Sequence, residues 1–99
     1  MIGCDITLIT RFDLDLDQKA KKILTQHEQV EFESSANKRN YLAGRWAAKE
    51  AIFKATGRTT NFSILNDQSG KPYVLEDQKI NVSISHDGDY AMAVACLDS

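Results

Sequence analysis

Ile2, Cys4, Ile6 and Leu8 alternate with Gly3, Asp5, Thr7 and Ile9 at the start of the chain. A period of two is that of a β-strand with one side against a core. It places Ile2, Cys4 and Ile6 inward and turns Asp5 to the other side. From Asp17 to about Gln26 the run DQKAKKILTQ offers a capping aspartate and good helix formers, so a short helix is expected. A second helix is expected to take Ser34 or Ser35 as its cap and to continue to about Thr56, where Gly57 supplies the stop. Phe62 to Leu65 and Tyr73 to Leu75 read as two short strands joined through NDQSGKP, a stretch of turn residues. Ile80, Val82 and Ile84 alternate with Asn81, Ser83 and Ser85, and YAMAVACL follows HDGD. Asp87-Gly88 marks the tight hairpin between them. One strand, two helices and four further strands predict a single α+β domain over residues 1–99, with helices packed on a largely antiparallel sheet.

The long helix carries the chemistry. At about 100° per residue, Leu42, Trp46 and Phe53 form an apolar stripe, expected to be core. Ala43, Gly44, Ala47, Ala48 and Ala51 form a second face, small enough for a neighbouring element or subunit to approach closely. Arg45 and Lys49 are i,i+4 neighbours on the remaining side, and Glu50 and Lys54 stand one turn apart at the border of the two covered faces. Charged helical residues are usually solvated, and a Glu50–Lys54 pair would contribute only about 0.3–0.5 kcal/mol. Yet a carboxylate near a covered face needs a compensating cation, and Asp5 on the first strand offers a second hard oxygen. Two carboxylates from different elements amid lysines and arginines suit a Mg²⁺ ion shared with a substrate phosphate.

Composition narrows the classes. With 99 residues, 42% apolar and 26% charged, the chain has the make-up of a soluble globular domain near the lower size limit for an unaided core, where oligomerisation would help. No apolar run reaches membrane-spanning length. The N-terminal MIGCDITLITRF lacks the basic segment and cleavage site of a signal peptide, so a cytoplasmic location is expected. A net charge of -2 gives no global field for nucleic acid, and any anion must be held by local clusters such as Lys19 to Lys22 or Lys38 and Arg39. Cys4 and Cys96 have neither C-x-x-C nor Cys/His spacing, which argues for buried thiols rather than zinc or a disulfide.

Three blocks in order give the chain a family likeness: Gly3 to Asp5 as G-x-D with Arg11 following, RWAAKEAIFKATG from Arg45 to Gly57, and SGKP at Ser69 to Pro72 with SISH at Ser83 to His86. Together they resemble the holo-acyl-carrier-protein synthases, small 4'-phosphopantetheinyl transferases. The W-x-x-K-E-A-x-x-K segment is the specific part. G-x-D alone carries nothing, and SGKP is an ordinary turn. The likeness implies a 4'-phosphopantetheinyl transferase-like fold. It also implies transfer of 4'-phosphopantetheine from coenzyme A to a serine of apo acyl carrier protein, with release of 3',5'-ADP, giving the holo carrier for fatty acid synthesis.

Carried over residue by residue, the resemblance implies that Asp5 and Glu50 bind Mg²⁺ and that Lys54 stabilises charge on the pyrophosphate. Asp5, Glu50 and Lys54 are thus the expected catalytic group. Arg45 and Lys49 match basic positions assigned to coenzyme A phosphates, and Gly70, Lys71, Pro72, Ser85 and His86 match its nucleotide side. Arg11 matches a contact to the acidic carrier protein. The serine proton would pass to Glu50 or to a metal-bound water. A homotrimer with sites between subunits is implied as well. The likeness departs from the family after Gly57, where RTTNFSI lacks a second glycine, and between Tyr73 and Ile80, where the chain is short. The competing reading is a non-catalytic module that binds coenzyme A or another anion. Two acidic residues beside phosphates argue against it unless a cation intervenes.

Overall fold

A 19-residue helix laid across a three-stranded sheet organises the molecule. The computed structural model describes residues 1–98. Strand β1 (Ile2–Leu8) leads through a 3-10 turn (Ile9–Phe12) into helices α1 (Leu16–Ile23), α2 (Gln26–Ser34) and α3 (Lys38–Thr56). Strands β2 (Ile64–Asn66), β3 (Pro72–Val74), β4 (Ile80–Asp87) and β5 (Tyr90–Leu97) follow. The sheet has the order β1-β5-β4 and is antiparallel throughout, while β2 and β3 form a separate antiparallel ribbon. The α+β class, the five strands and both hairpins agree with the sequence. Gly88, at φ 57°, supplies the positive φ that lets β4 turn into β5.

The helices differ from expectation. Thr25 caps α2 by accepting from the Glu28 backbone N–H, and the Glu28 carboxylate accepts from the Thr25 N–H in return. This capping box creates a helix where a polar loop was expected. Ser34 therefore ends α2, and Asn37 caps α3 through its side chain. Asp15 rather than Asp17 precedes α1. The far end of α3 falls as predicted, with Gly57 at φ 71° in the left-handed position.

The two faces of β1 are reversed relative to the sequence reading. Gly3 and Thr7 are buried and Asp5 half-buried, whereas Ile2, Cys4, Ile6 and Leu8 are exposed. Helix α3 takes the Gly3 side because a Cβ on Gly3 would stand 2.3 Å from the Ala51 carbonyl oxygen. Only a side without a side chain at that point admits so close a helix. Ala43, Ala47, Ala48 and Ala51 are fully buried in this packing, so the small-residue face serves the chain's own sheet and not a subunit contact. Cys4 and Cys96 are exposed, a correction to the expected buried thiols. Ile52, Ile64, Val74, Ile80 and Val82 complete one core, and Ile9, Phe12, Phe32 and Leu42 form a second beneath α1 and α2. Burying each of these large side chains stabilises the fold by about 1.5–3 kcal/mol. Of the predicted stripe, Leu42 is buried and Trp46 half-buried, but Phe53 is exposed at the edge of a cleft.

Candidate functional site

Where β1 crosses α3, the Lys54 ammonium lies 3.1 Å from the Asp5 carboxylate and donates to the Cys4 carbonyl at 3.1 Å. The other Asp5 oxygen accepts from the Thr7 hydroxyl at 3.1 Å. The i,i+4 pair of Glu50 with Lys54 is not formed: Lys54 turns to Asp5, and among the described residues Glu50 has no ion-pair or hydrogen-bond partner. Glu50 instead lines a cleft of about 490 Å³ with Trp46, Phe53, Arg58 and Asn61. Asp5 and Lys54 lie one helical turn along, outside its lining. The alternating strand and the helix thus present two carboxylates and an ammonium on neighbouring turns.

Those donors suit a hard cation. Mg²⁺ takes oxygen ligands and is ordinarily held by one or two carboxylates with substrate phosphates and water. Among the described residues no group of three or more His, Cys, Asp or Glu gathers, so a metal held by Asp5 and Glu50 depends on further ligands from substrate or solvent.

Arg45 and Lys49 are corrected by their surroundings. Arg45 is 4% exposed, stacks 4.2 Å from the centre of the Tyr41 ring, and donates to the Ile64 carbonyl, the Glu31 carboxylate and Asn66 Oδ1. The Lys49 ammonium donates to Glu28 Oε1, Asn61 Oδ1 and the Phe62 carbonyl at 2.7, 2.6 and 2.6 Å. Its three protons are committed inside the fold. Burial lowers the Lys49 pKa below its usual range, and the fully buried Glu28 partly restores it. Both cations are engaged by protein groups; Lys22, Lys49 and Arg58 border the cleft that Glu50 lines, and Lys54 stands one turn on. Arg58 was not singled out in the sequence. It sits on the cleft wall and holds Asp77 at 2.6 Å, a hydrogen bond that lowers the Asp77 pKa.

The remaining predicted residues stand elsewhere. Gly70, at φ 89°, turns the β2–β3 ribbon, where Asp67 accepts from Ser69 and Lys71. Lys71 and Pro72 border a hollow of about 230 Å³. Ser85 and His86 border another of about 260 Å³, and His86 Nε2 is 2.9 Å from the Asn40 carbonyl oxygen. Arg11 lines a fourth hollow with Phe12, Lys19, Lys22, Ile23 and Trp46, and it meets the Glu50 cleft at Lys22, Ile23 and Trp46. One chain brings Asp5 and Lys54 into contact with Glu50 one turn before Lys54, and places the nucleotide-side blocks on other hollows.

Residues 1–95 match the model of the 4'-phosphopantetheinyl transferase superfamily. The chain belongs to this superfamily, in its holo-[acyl-carrier-protein] synthase branch. It is 38% identical over 112 residues to the holo-[acyl-carrier-protein] synthase of Anoxybacillus flavithermus, covering 98% of this chain and 93% of that one. The synthase of Geobacillus sp. is 41% identical over 112 residues, with 98% and 94% covered. Among solved structures, a synthase from Bacillus anthracis in complex with CoA (3',5'-ADP) superposes with a TM-score of 0.86 at 29% identity, covering 99% of this chain and 95% of that one. The Helicobacter pylori synthase in complex with coenzyme A gives 0.81 at 27% identity, with 99% and 100% covered. As a phosphopantetheinyl transferase, the chain keeps the K-E pair of its long helix: both residues border the cleft, Lys49 tied to Glu28, Asn61 and Phe62 and Glu50 without a partner among the described residues.

Proposed function

We propose that this protein transfers 4'-phosphopantetheine from coenzyme A to a serine of apo acyl carrier protein, releasing 3',5'-ADP. The observation that carries this reading is the crossing of β1 and α3 in a superfamily member, which brings Asp5 to Lys54 at 3.1 Å, one helical turn from the unpartnered Glu50. The serine oxygen attacks the β-phosphorus as the bond to the 3',5'-ADP oxygen breaks, and the new phosphodiester retains the pantetheine arm. Lys54, half-exposed on the turn after Glu50, meets negative charge on the leaving phosphate with a compact ammonium. Glu50 is the unpaired carboxylate of the cleft, and the serine proton would pass to it or to a metal-bound water. Asp5 and Glu50 would hold Mg²⁺, which when bound offsets charge on the pyrophosphate oxygens. Positioning supplies most of the catalysis in such phosphoryl transfers.

The sheet supports a homotrimer. Its outer face carries Ile2 and Ile6, 73% and 64% exposed, with Leu8, Tyr90, Met92, Cys4 and Cys96 also exposed. Ile6 is paired with Met92 and Leu8 with Tyr90, so these side chains form one continuous patch of the kind that monomers rarely leave bare. Packing that face against further copies would join the blocks at Gly70 to Pro72 and Ser85 to His86 to a neighbour's Glu50 cleft. Coenzyme A would then lie between subunits, and Arg11 on the adjoining hollow would meet the acidic carrier. The reaction belongs to fatty acid biosynthesis in the cytoplasm. Among the described residues no helix is long and apolar enough to cross a membrane.

The test is intact mass of a purified apo carrier incubated with coenzyme A and Mg²⁺. The protein should add one phosphopantetheine per carrier and release 3',5'-ADP. Glu50→Ala should abolish transfer with the far-UV spectrum unchanged, and Arg11→Ala should raise KM for the carrier while leaving that for coenzyme A. Undiminished turnover by the Glu50 variant would remove that residue from the chemistry, and unmodified carrier with the wild type would favour the passive coenzyme A binder.

A further inference from the structure

The β2 strand pairs with β3 on one side only, where Leu75 donates to the Ser63 carbonyl and Leu65 faces Tyr73. On its other side the backbone groups of residues 62, 64 and 66 point away from β3. An edge of this kind normally goes to water or to another strand. Here side chains take it up. The Ile64 and Asn66 N–H groups each donate at 2.9 Å, to Glu28 Oε2 and Glu31 Oε2. The Phe62 and Ile64 carbonyls accept from Lys49 Nζ at 2.6 Å and Arg45 Nε at 2.8 Å. Each carboxylate uses its other oxygen on the cation of the same rung: Glu28 to Lys49 at 2.7 Å, Glu31 to Arg45 at 3.3 Å.

The spacing explains the fit. Glu28 and Glu31 are i,i+3 on α2, and Arg45 and Lys49 are i,i+4 on α3, so each pair presents two groups one turn apart. That separation of about 5–6 Å is close to the two-residue repeat along a strand, about 6.6 Å. Two helices thereby stand in for the missing strand. Lys49 also holds Asn61, whose amide donates to the Ile23 carbonyl at 3.1 Å. Thus the segment 58–62, of which Arg58 to Asn61 line the cleft with Glu50, is anchored to α2 and α3 through the Lys49 ammonium and to α1 through the Asn61 amide.

We propose that Glu28 and Glu31 are positioning residues for the transfer reaction: with Lys49 and Arg45 they form a side-chain rail that fixes β2 and the 58–62 wall against the helix face carrying Glu50. The proposal rests on the functional reading above. The rail also holds the half-buried Lys49 ammonium 2.7 Å from the fully buried Glu28 carboxylate.

Glu28→Gln keeps the shape and one acceptor while removing the charge, and Phe32→Leu on the same helix loses core packing but leaves every rung in place. Both variants are compared with the wild type at a temperature where circular dichroism shows all three folded. Glu28→Gln should lose about tenfold or more in kcat, in line with losses at groups that support a reacting centre, and KM for coenzyme A should move less than kcat. Phe32→Leu should keep kcat within about twofold. Amide exchange supplies a readout independent of turnover. Ile64 and Asn66 should be protected in the wild type although no strand covers them, and Glu28→Gln should release Ile64 selectively. Should Glu28→Gln fail to fold, Glu31→Gln tests the other rung. Rapid exchange at both amides in the wild type overturns the rail. A folded Glu28→Gln with normal kcat, or an equal loss in Phe32→Leu, overturns the positioning role alone. A wild type that never modifies the carrier overturns the functional reading and the positioning role with it.

Discussion

Gly3→Ala adds one methyl group at the point where strand and helix come closest. The new Cβ would stand 2.3 Å from the Ala51 carbonyl oxygen, 2.7 Å from the Ala55 nitrogen and 3.0 Å from the Lys54 Cβ. The two closest atoms are backbone, in the interior of α3, and cannot rotate aside. Ordinary contact begins near 3.4 Å, so β1 and α3 must part by about 1.1 Å, the difference between 3.4 and 2.3 Å. Overpacking of this kind costs about 1–3 kcal/mol, and at this chain length each kcal/mol lowers Tm by about 4–8 °C. The same shift carries Asp5, two residues along β1, away from the turn that bears Glu50 and Lys54. A misplacement of about 1 Å at a reacting centre can cost about a hundredfold in rate. Thermal unfolding followed by circular dichroism, with carrier modification read by intact mass well below Tm, measures both effects. Gly44→Ala is the comparison, since its Cβ would meet the His86 ring at 3.0 Å and the Ile84 side chain at 3.1 Å, groups that can turn away. It should leave Tm nearly unchanged. A Gly3→Ala protein with wild-type Tm and kcat would refute the argument that this glycine sets the strand-to-helix distance.

Ile6→Asp places a charge at the middle of the exposed sheet face and should convert a trimer into monomers by light scattering coupled to size exclusion. Because Ile6 is 64% exposed in the single chain, the monomer should keep its helical spectrum; a monomeric wild type would refute the subunit contact. The Glu28–Lys49 pair predicts a pH-dependent stability gap. Lys49 is depressed below its ordinary 10.5 by burial and partly restored by Glu28. A depressed lysine costs stability below its folded pKa, and that cost is relieved as pH rises toward the unfolded value. Glu28→Gln removes the restoring charge, so urea midpoints of wild type and variant should differ most near neutral pH and converge as pH rises toward the ordinary lysine value of 10.5. A gap independent of pH would show that the pair's charges do not carry its contribution.

Much of the fold was legible because it rests on local signals. Period-two alternation gave β1, β4 and β5, Gly57 gave the end of α3, and the polar turns gave both hairpins. The missed helix also had a local signature: Thr25 followed by Glu28 is the T-x-x-E of a capping box. The β1 faces were misread for a different reason. Alternation shows that a strand has two unlike sides, but the covered side depends on what packs there, and an alanine-lined helix selects Gly3 over Ile2 and Ile6. The apolar side is then left for another copy. Hydrophobicity alone cannot distinguish a face buried by its own chain from one buried by a partner.

The site was legible in type and less so in partnership. Asp5 and Lys54 meet at the strand–helix crossing, and the bland alternative of a Glu50–Lys54 pair is absent, replaced by Asp5–Lys54, a contact between residues 49 apart in sequence. Arg45 and Lys49 looked like phosphate ligands because a cation on a helix reads the same whether it faces solvent or a buried carboxylate. What separates the two cases is the acidic residue that answers it, and Glu28 and Glu31 lie on a helix the alternation and cap reading had assigned to loop. The K-E neighbours therefore serve opposite ends. About 100° of helix rotation separates the two side chains: Lys49 is spent on the rail, where Glu28 answers it at 2.7 Å, while Glu50 lines the cleft without a partner among the described residues. Because Glu28 joins the Lys49 ammonium to the Ile64 N–H, it is the informative residue to change.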